Sequence, residues 1–409
     1  MTKEEAAKTT ASATVVNWPA LVAGWLVFFV ANTQRIDVVP FFNDFREYYQ
    51  VDYTGVGALL SAYLLGYVIA QIPAGLAADN FPTRRVTVCG LLTITIASGL
   101  FAVSANYWLA LLLRFLMGIS GALLYSSTVK LTLAATPNRG TAMGVLQSGA
   151  GAGMIAGTFG LPLIGQFTNL QMAFAAMAVV SLATLAYVAI CLAPGAVRKA
   201  SSESMLGQVS AVARQPQFLL LSSCAFLTLF GSYGVMAWLP TYLRNDFGFS
   251  IAAAGGIASL KSVGLMVASP LGGLLSDRLG SRSSVLMTGF AIVAISFALL
   301  IVGGSPALII ASSVLSGLGT ALTMPIITTL TTEVFGIQRS GVAVSLNLAV
   351  GQVASTISGV LFGTLLDMTG SFMVVWVFGF VVAMLGALPA LALRKVTTGA
   401  TLETSKRPA

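Results

Sequence analysis

The chain has 409 residues, of which 56% are hydrophobic and only 8% charged, with 21 Lys and Arg against 13 Asp and Glu. Soluble domains carry about a quarter charged residues, so an ordinary globular enzyme is excluded at once. Histidine is absent, and Cys89, Cys191 and Cys224 all lie in apolar runs, which leaves no catalytic triad, zinc cluster or disulfide framework to build.

In chain order, apolar runs of spanning length fall at 18–42, 54–78, 86–104, 107–130, 140–162 and 170–193. A second set follows at 217–240, 251–276, 284–303, 306–330, 340–366 and 371–393. Each run is long enough for a membrane helix of about 20 residues. The Gly and Pro that interrupt several of them are tolerated where neighbouring helices supply packing and hydrogen bonds. The expected fold is an all-α membrane protein of twelve transmembrane helices in two pseudo-symmetric six-helix bundles. The bundles are expected at 18–193 and 217–394, with a cytoplasmic tail at 1–17, a cytoplasmic linker at 194–216 and a second tail at 395–409. The polar start, with no small-residue cleavage site before Trp18, reads as a tail rather than a removable signal.

Charge placement orients the spans. With both termini inside, sixteen of the 21 Lys and Arg lie at cytoplasmic ends, and only Arg46 and Arg244 fall in outside loops. That asymmetry satisfies the positive-inside rule and accounts for the basic balance without nucleic acid. Arg35, Arg114 and Lys261 are left inside predicted helices.

The two halves repeat. Gly75, Asp79 and Arg84 recur as Gly273, Asp277 and Arg282, each 198 positions later, and at that offset Tyr63 matches Lys261. Arg139, Gln147 and Gly151 match Arg339, Asn347 and Gly351 at an offset of 200. Parallel halves of this kind suit alternating access around a midplane site.

At these residues the chain resembles the major facilitator superfamily. Gly273-Leu-Leu-Ser-Asp277-Arg278-Leu-Gly280-Ser-Arg282 is similar to the family's signature loop between the second and third helices of each half. The first copy keeps Gly75, Asp79 and Arg84 but has Asn80 and Pro82 where a basic residue and Gly are usual. Arg114-Phe-Leu-Met-Gly118-Ile-Ser-Gly121 is similar to the family's second motif. The resemblance implies a transporter whose loop carboxylate and the Arg five residues on link across a tight turn and latch one state. It leaves the cargo open, since one scaffold carries many substrates.

Candidate functional residues follow from buried charge. An unpaired Arg in hydrocarbon is costly, so Arg114 needs a partner or a wet cavity, and Asp37 is the carboxylate at comparable depth. The pair reads either as a proton-coupling element or as a permanent structural ion pair. Arg35 shares a helix face with Phe28 and Asn32, whereas Asp37 lies about 200° around, beside Thr33 and Gln34. Arg35 and Asn32 are therefore expected to face a cavity. Lys261 has Ala254, Ala258, Gly264 and Ala268 on its side, expected to leave room around the ammonium. Two deep cations without matching acids predict a small anionic substrate, held by Arg35 and Lys261 with Tyr63, Tyr233 and Asn347 as polar company.

Arg35 and the run Trp238-Leu-Pro240-Thr-Tyr242-Leu-Arg244 also resemble the organic-anion and cyanate-type carriers of the superfamily, although Gln34 stands where an acid is common. The glycine-rich Gly149–Pro162 stretch partly resembles the antiporter motif of drug exporters, but it equally fits helix packing. The expectation is a monomeric secondary transporter of a small organic anion in the inner membrane, driven by a proton or other ion gradient and needing no cofactor. The alternative is a proton-driven exporter of amphipathic or cationic compounds.

Overall fold

A computed structural model describes residues 16–136, 138–192, 205–279 and 281–393, with the backbone path alone for Arg139, 205–208, 269–279 and 337–338. Nearly all of the first tail, half of the linker and the second tail thus lie outside the described residues.

The described residues are helical. Helix α1 spans Trp18–Ile36, capped by Asn17, whose side chain accepts from the Ala20 amide. A 3-10 turn, Val39–Phe41, and a short helix α2, Phe42–Tyr49, follow. The first span is therefore shorter than its apolar run, because Pro40 lacks the amide that would continue the helix. Next come α3 (Tyr53–Asn80), α4 (Thr83–Val103) and α5 (Tyr107–Ala134). The fifth span is α6 (Arg139–Ile155), a π-helical turn (Ala156–Gly160) and α7 (Leu161–Phe167). Helix α8 covers Leu170–Cys191.

A short helix α9 (Met205–Ala213) precedes α10 (Pro216–Phe247), α11 (Ile251–Leu279) and α12 (Arg282–Val302). Helix α13 runs over Pro306–Thr369 but is interrupted at Gly336, whose φ of 69° and ψ of 167° suit glycine alone. It therefore supplies two spans, Pro306–Gly336 and Arg339–Thr369, and α14 begins at Phe372. Asn106, Asn138, Asn169, Ser281 and Ser305 cap the helices that follow them, the expected chemistry for orphan amides at a helix start.

Among the described residues, eleven helices are long and apolar enough to cross a membrane. Helix α1 falls outside that count. Its last turns carry Asn32, Thr33, Gln34 and Arg35, which dilute its apolar character.

The chain divides into two compact units, one of Met1–Phe41 with Ala62–Ser201 and one of Phe42–Ser61 with Ser202–Ala409. In the first, α1 packs on α5 and α6, and α4 packs on α5 and α8. Gly149, Gly153 and Gly157 lie where a Cβ would meet the carbonyl oxygens of Trp25, Phe29 and Thr33 at 2.8, 2.4 and 2.8 Å. Both sets advance four residues at a time, so one glycine stripe lets the fifth span cross α1 at backbone contact.

In the second unit α13 packs on α10, α11 and α12. Residues 42–61, which chain order assigns to the first bundle, belong here because α13 supplies the missing cap of α3. Asp367 accepts from the amides of Tyr53 and Thr54 at 3.0 and 2.7 Å and from the Thr54 hydroxyl at 2.7 Å. Asp44 pairs with Arg244, and Phe42 packs on Trp238 with ring centroids 5.2 Å apart.

Candidate transport site

In the first unit the centre is an ion pair sealed from solvent. Arg114 Nη1 donates to Asp37 Oδ1 at 2.8 Å, and both side chains are 0% exposed. The same guanidinium donates to the carbonyl of Gln34 at 2.9 Å. Its Cζ lies over the Tyr63 ring, 5.1 Å from the centroid, with Phe101 at 5.8 Å. Tyr63 is held in turn by a hydrogen bond from its hydroxyl to the Ala31 carbonyl, 3.1 Å. Gly118 and Gly121 make this possible. A Cβ at Gly118 would sit 1.9 Å from the Tyr63 carbonyl oxygen, and one at Gly121 would sit 2.4 Å from its hydroxyl. The second carboxylate oxygen of Asp37, Oδ2, is buried without a hydrogen bond.

Arg35 occupies the other face of α1. Thr33, Gln34 and Asp37 are buried, whereas Asn32 and Arg35 are half-buried, the division that the 200° separation predicts. Arg35 lies over the Tyr67 ring at 5.1 Å. Tyr67 meets Tyr125 edge-on at 6.5 Å, and Phe28 stacks on Tyr125 at 5.5 Å. Asn32 donates back to the Phe28 carbonyl at 2.8 Å. Gln34 donates to Ser181 on α8 at 2.6 Å.

In the second unit Lys261 is 5% exposed. Its ammonium donates to the carbonyl oxygen of Ser232 and, at 2.8 Å, to the Ser232 hydroxyl, which also accepts from Thr320 at 3.0 Å. Among the described residues no carboxylate pairs with Lys261. The small residues on its face do not open the space expected of them. Ala254, Ala258 and Ala268 are buried, and Gly264 admits the backbone of α13, a Cβ there falling 2.7 Å from the Val314 carbonyl oxygen. Small side chains serve close helix approach here. Asn347 is likewise engaged, accepting from Ser222 at 2.5 Å and donating to Thr331 at 2.7 Å, and Tyr233 is 8% exposed.

The first signature loop pairs differently from the expected link. Asp79 pairs with Lys130 at the end of α5, and Arg84 reaches over to the Ala189 carbonyl near the end of α8. The turn at Pro82 starts α4 afresh and directs Arg84 to the unpaired carbonyls of a neighbouring helix, a favourable place for a cation. In the second unit Arg282 pairs with Glu333 on α13 at 2.5 Å. The side chains of Asp277 and Arg278, and the surroundings of Gly273, lie outside the described residues. Gly75 has nothing within 4 Å of where a Cβ would stand.

Sequence reasoning missed Ser232 as the seat of Lys261, Lys130 and Glu333 as charge partners, and Asp367 as the cap of α3. The repeat held the signal for the first: Ser232 lies 198 positions after Gln34, whose carbonyl receives Arg114.

Apolar spans in two repeated halves, with charges buried among the helices, define a multi-pass helical membrane protein. The chain belongs to the Major Facilitator Superfamily, whose family model matches residues 20–260 and 221–408. It is 24% identical to the probable sulfoacetate transporter SauU of Cupriavidus necator over 91% of this chain and 93% of that protein. It is also 24% identical to the cis,cis-muconate transport protein of Acinetobacter baylyi, over 86% and 88% of the two chains. The crystal structure of the nucleoside transporter NupG shares the fold, with a TM-score of 0.80 at 14% identity, covering 91% of this chain and 99% of that one.

Proposed function

We propose that this transporter moves a small organic anion across the cytoplasmic membrane by alternating access, as a monomer with both termini in the cytoplasm. The observation that carries the reading is Lys261, a buried ammonium seated on a hydroxyl and a carbonyl, with no carboxylate pairing with it among the described residues. Ionisable side chains buried in a membrane protein mark substrate or ion pathways, and a ligand of opposite sign would balance this one. Arg35, whose Cζ lies over the Tyr67 ring, is the candidate cation of the first unit for an anionic cargo. The relatives named for sulfoacetate and cis,cis-muconate are in keeping with an organic anion. The excess of Lys and Arg at one set of span ends supports the orientation.

Asp37 and Arg114 couple transport to protons in this reading. The buried Oδ2 of Asp37, without a hydrogen bond, is where a proton would add, and its arrival would weaken the hold on Arg114. The fifth-span glycines, which speak for a drug exporter, have a packing role against α1.

Uptake of labelled sulfoacetate and cis,cis-muconate into proteoliposomes tests this. Lys261→Gln is expected to abolish uptake of the transported anion, and unchanged affinity would remove Lys261 from the site. Asp37→Asn is expected to lose stimulation by an inward proton gradient while retaining exchange of anion between the two sides. Full retention of the stimulation would reduce Asp37 to a structural partner.

A further inference from the structure

We infer that the second unit binds a small organic ammonium ion in the cavity beside Asp246, where the ends of α10 and α12 meet the start of α14. This is the end of α12 away from the signature loop, and none of the residues around the cavity is Lys261 or Ser232. The ammonium is carried by a free amine or by the headgroup of a membrane lipid, two sources of one chemistry.

The cavity measures about 210 Å³, and its lining includes Tyr242, Asp246, Leu300, Ile301, Phe372 and Trp376. Two sources of negative potential border it. Asp246, in the last turn of α10, is exposed, and among the described residues no ion pair takes its carboxylate. Arg244, two positions earlier, pairs with Asp44 instead. Helix α12 stops at Gly303, whose amide donates to the Leu299 carbonyl at 3.1 Å. The carbonyls of Leu300 and Ile301 come after that bond, at the partially negative end of the helix, where a cation is favoured. The Tyr242 hydroxyl reaches the same place. A Cβ at Gly303 would lie 3.4 Å from that hydroxyl and 3.6 Å from the Leu300 carbonyl oxygen. A carboxylate, a hydroxyl and a helix C-terminus at one cavity select a positive ligand. Size and walls then select an organic one. A single water needs only about 10–15 Å³, so there is room for a larger guest. A calcium ion takes about six to eight oxygen ligands, whereas much of this lining is apolar. Tyr242 packs on Phe372 and Trp376 with ring centroids 5.2 and 5.5 Å apart, which braces an aromatic wall. Alkyl groups of an amine match such a wall while its charge meets the oxygens.

The test is equilibrium dialysis of the purified full-length protein, in an uncharged detergent free of phospholipid, against labelled tetramethylammonium. Saturable binding is expected, weakened about fivefold or more in Asp246→Asn, the worth of one exposed ion pair. Asp246→Glu should keep the binding and Asp246→Lys should remove it, and an exposed position at a helix end tolerates all three changes. Choline should displace the label, whereas its uncharged isostere 3,3-dimethylbutanol should not. Absence of saturable binding, indifference to Asp246→Asn, or equal displacement by the alcohol overturns the inference. So does displacement by sodium or calcium as effective as that by choline at matched ionic strength. Short-chain phosphatidylethanolamine and ethylammonium then separate the two sources. Greater potency of the phospholipid assigns the site to a lipid headgroup, and equal or lower potency assigns it to a free amine.

Discussion

Two buried cations stand at corresponding places in the two repeats and are treated oppositely. In the first unit Arg114, from α5, donates to the carbonyl of Gln34; in the second Lys261, from α11, donates to the carbonyl of Ser232, 198 positions further on. The charge has moved from the fourth helix of one half to the second helix of the other, yet it reaches the same point of the repeat. The surrounding glycines follow suit. Gly118 lies against the Tyr63 carbonyl and Gly317 against that of Lys261, and Tyr63 and Lys261 are themselves repeat partners. What differs is the counter-charge. Arg114 has Asp37 at 2.8 Å, whereas Lys261 has hydroxyl and carbonyl oxygens. One site brings a basic and an acidic side chain together; the other seats a basic side chain with no carboxylate pairing with it among the described residues. The same backbone position can therefore serve as a structural or coupling element in one half and as a ligand-seeking one in the other.

Substitutions can break this comparison, starting with the largest effect. Arg114→Gln strands a carboxylate in a site 0% exposed, and is expected to cost roughly 3–5 kcal/mol of stability. Asp37→Asn in the same chain should recover most of it, which thermal unfolding in detergent measures. A double variant no more stable than Arg114→Gln alone would show that the pair is not the unit.

Next, Gly118→Ala and Gly317→Ala should cost about 1–3 kcal/mol each and by similar amounts, since the added methyl would lie 1.9 and 2.1 Å from a carbonyl oxygen. Unequal losses would mean that the two helix crossings are not equivalent. Ser232→Ala removes an acceptor shared by Lys261 and Thr320 and is expected to cost about 1 kcal/mol. It should also shift the KM for the transported anion, and an unchanged KM would detach Ser232 from the site.

The smallest effect on stability sharpens the contrast most. Lys261→Met leaves no stranded carboxylate among the described residues, so the melting temperature should hold or rise while anion uptake is lost. A large fall in stability, as in Arg114→Gln, would show that Lys261 has a structural role like its counterpart.

The spans were legible because hydropathy is a local property, and so was the Asp37–Arg114 pairing, because each residue was the natural partner of the other at that depth. The two polar faces of α1 were legible from helical period alone. Side-chain partners elsewhere were not. Asp79 and Arg84 lie five residues apart, as do Asp277 and Arg282, and proximity in sequence suggested a link. Their actual partners, Lys130 and the Ala189 carbonyl, come from helix ends 51 and 105 residues away. Small residues around Lys261 were equally ambiguous, since Ala and Gly are required both by a cavity and by a close crossing.

By itself the amino-acid order determined twelve apolar segments, their polar ends and a repeated plan, since transfer of a helix into lipid depends on the composition of that helix. Which charges meet was decided only by tertiary structure. A long side chain at a helix end has several neighbouring helices within reach, and only the packed arrangement selects among them. The difference between Arg114 and Lys261 belongs to that second kind, for it lies in what the surrounding helices bring to each cation.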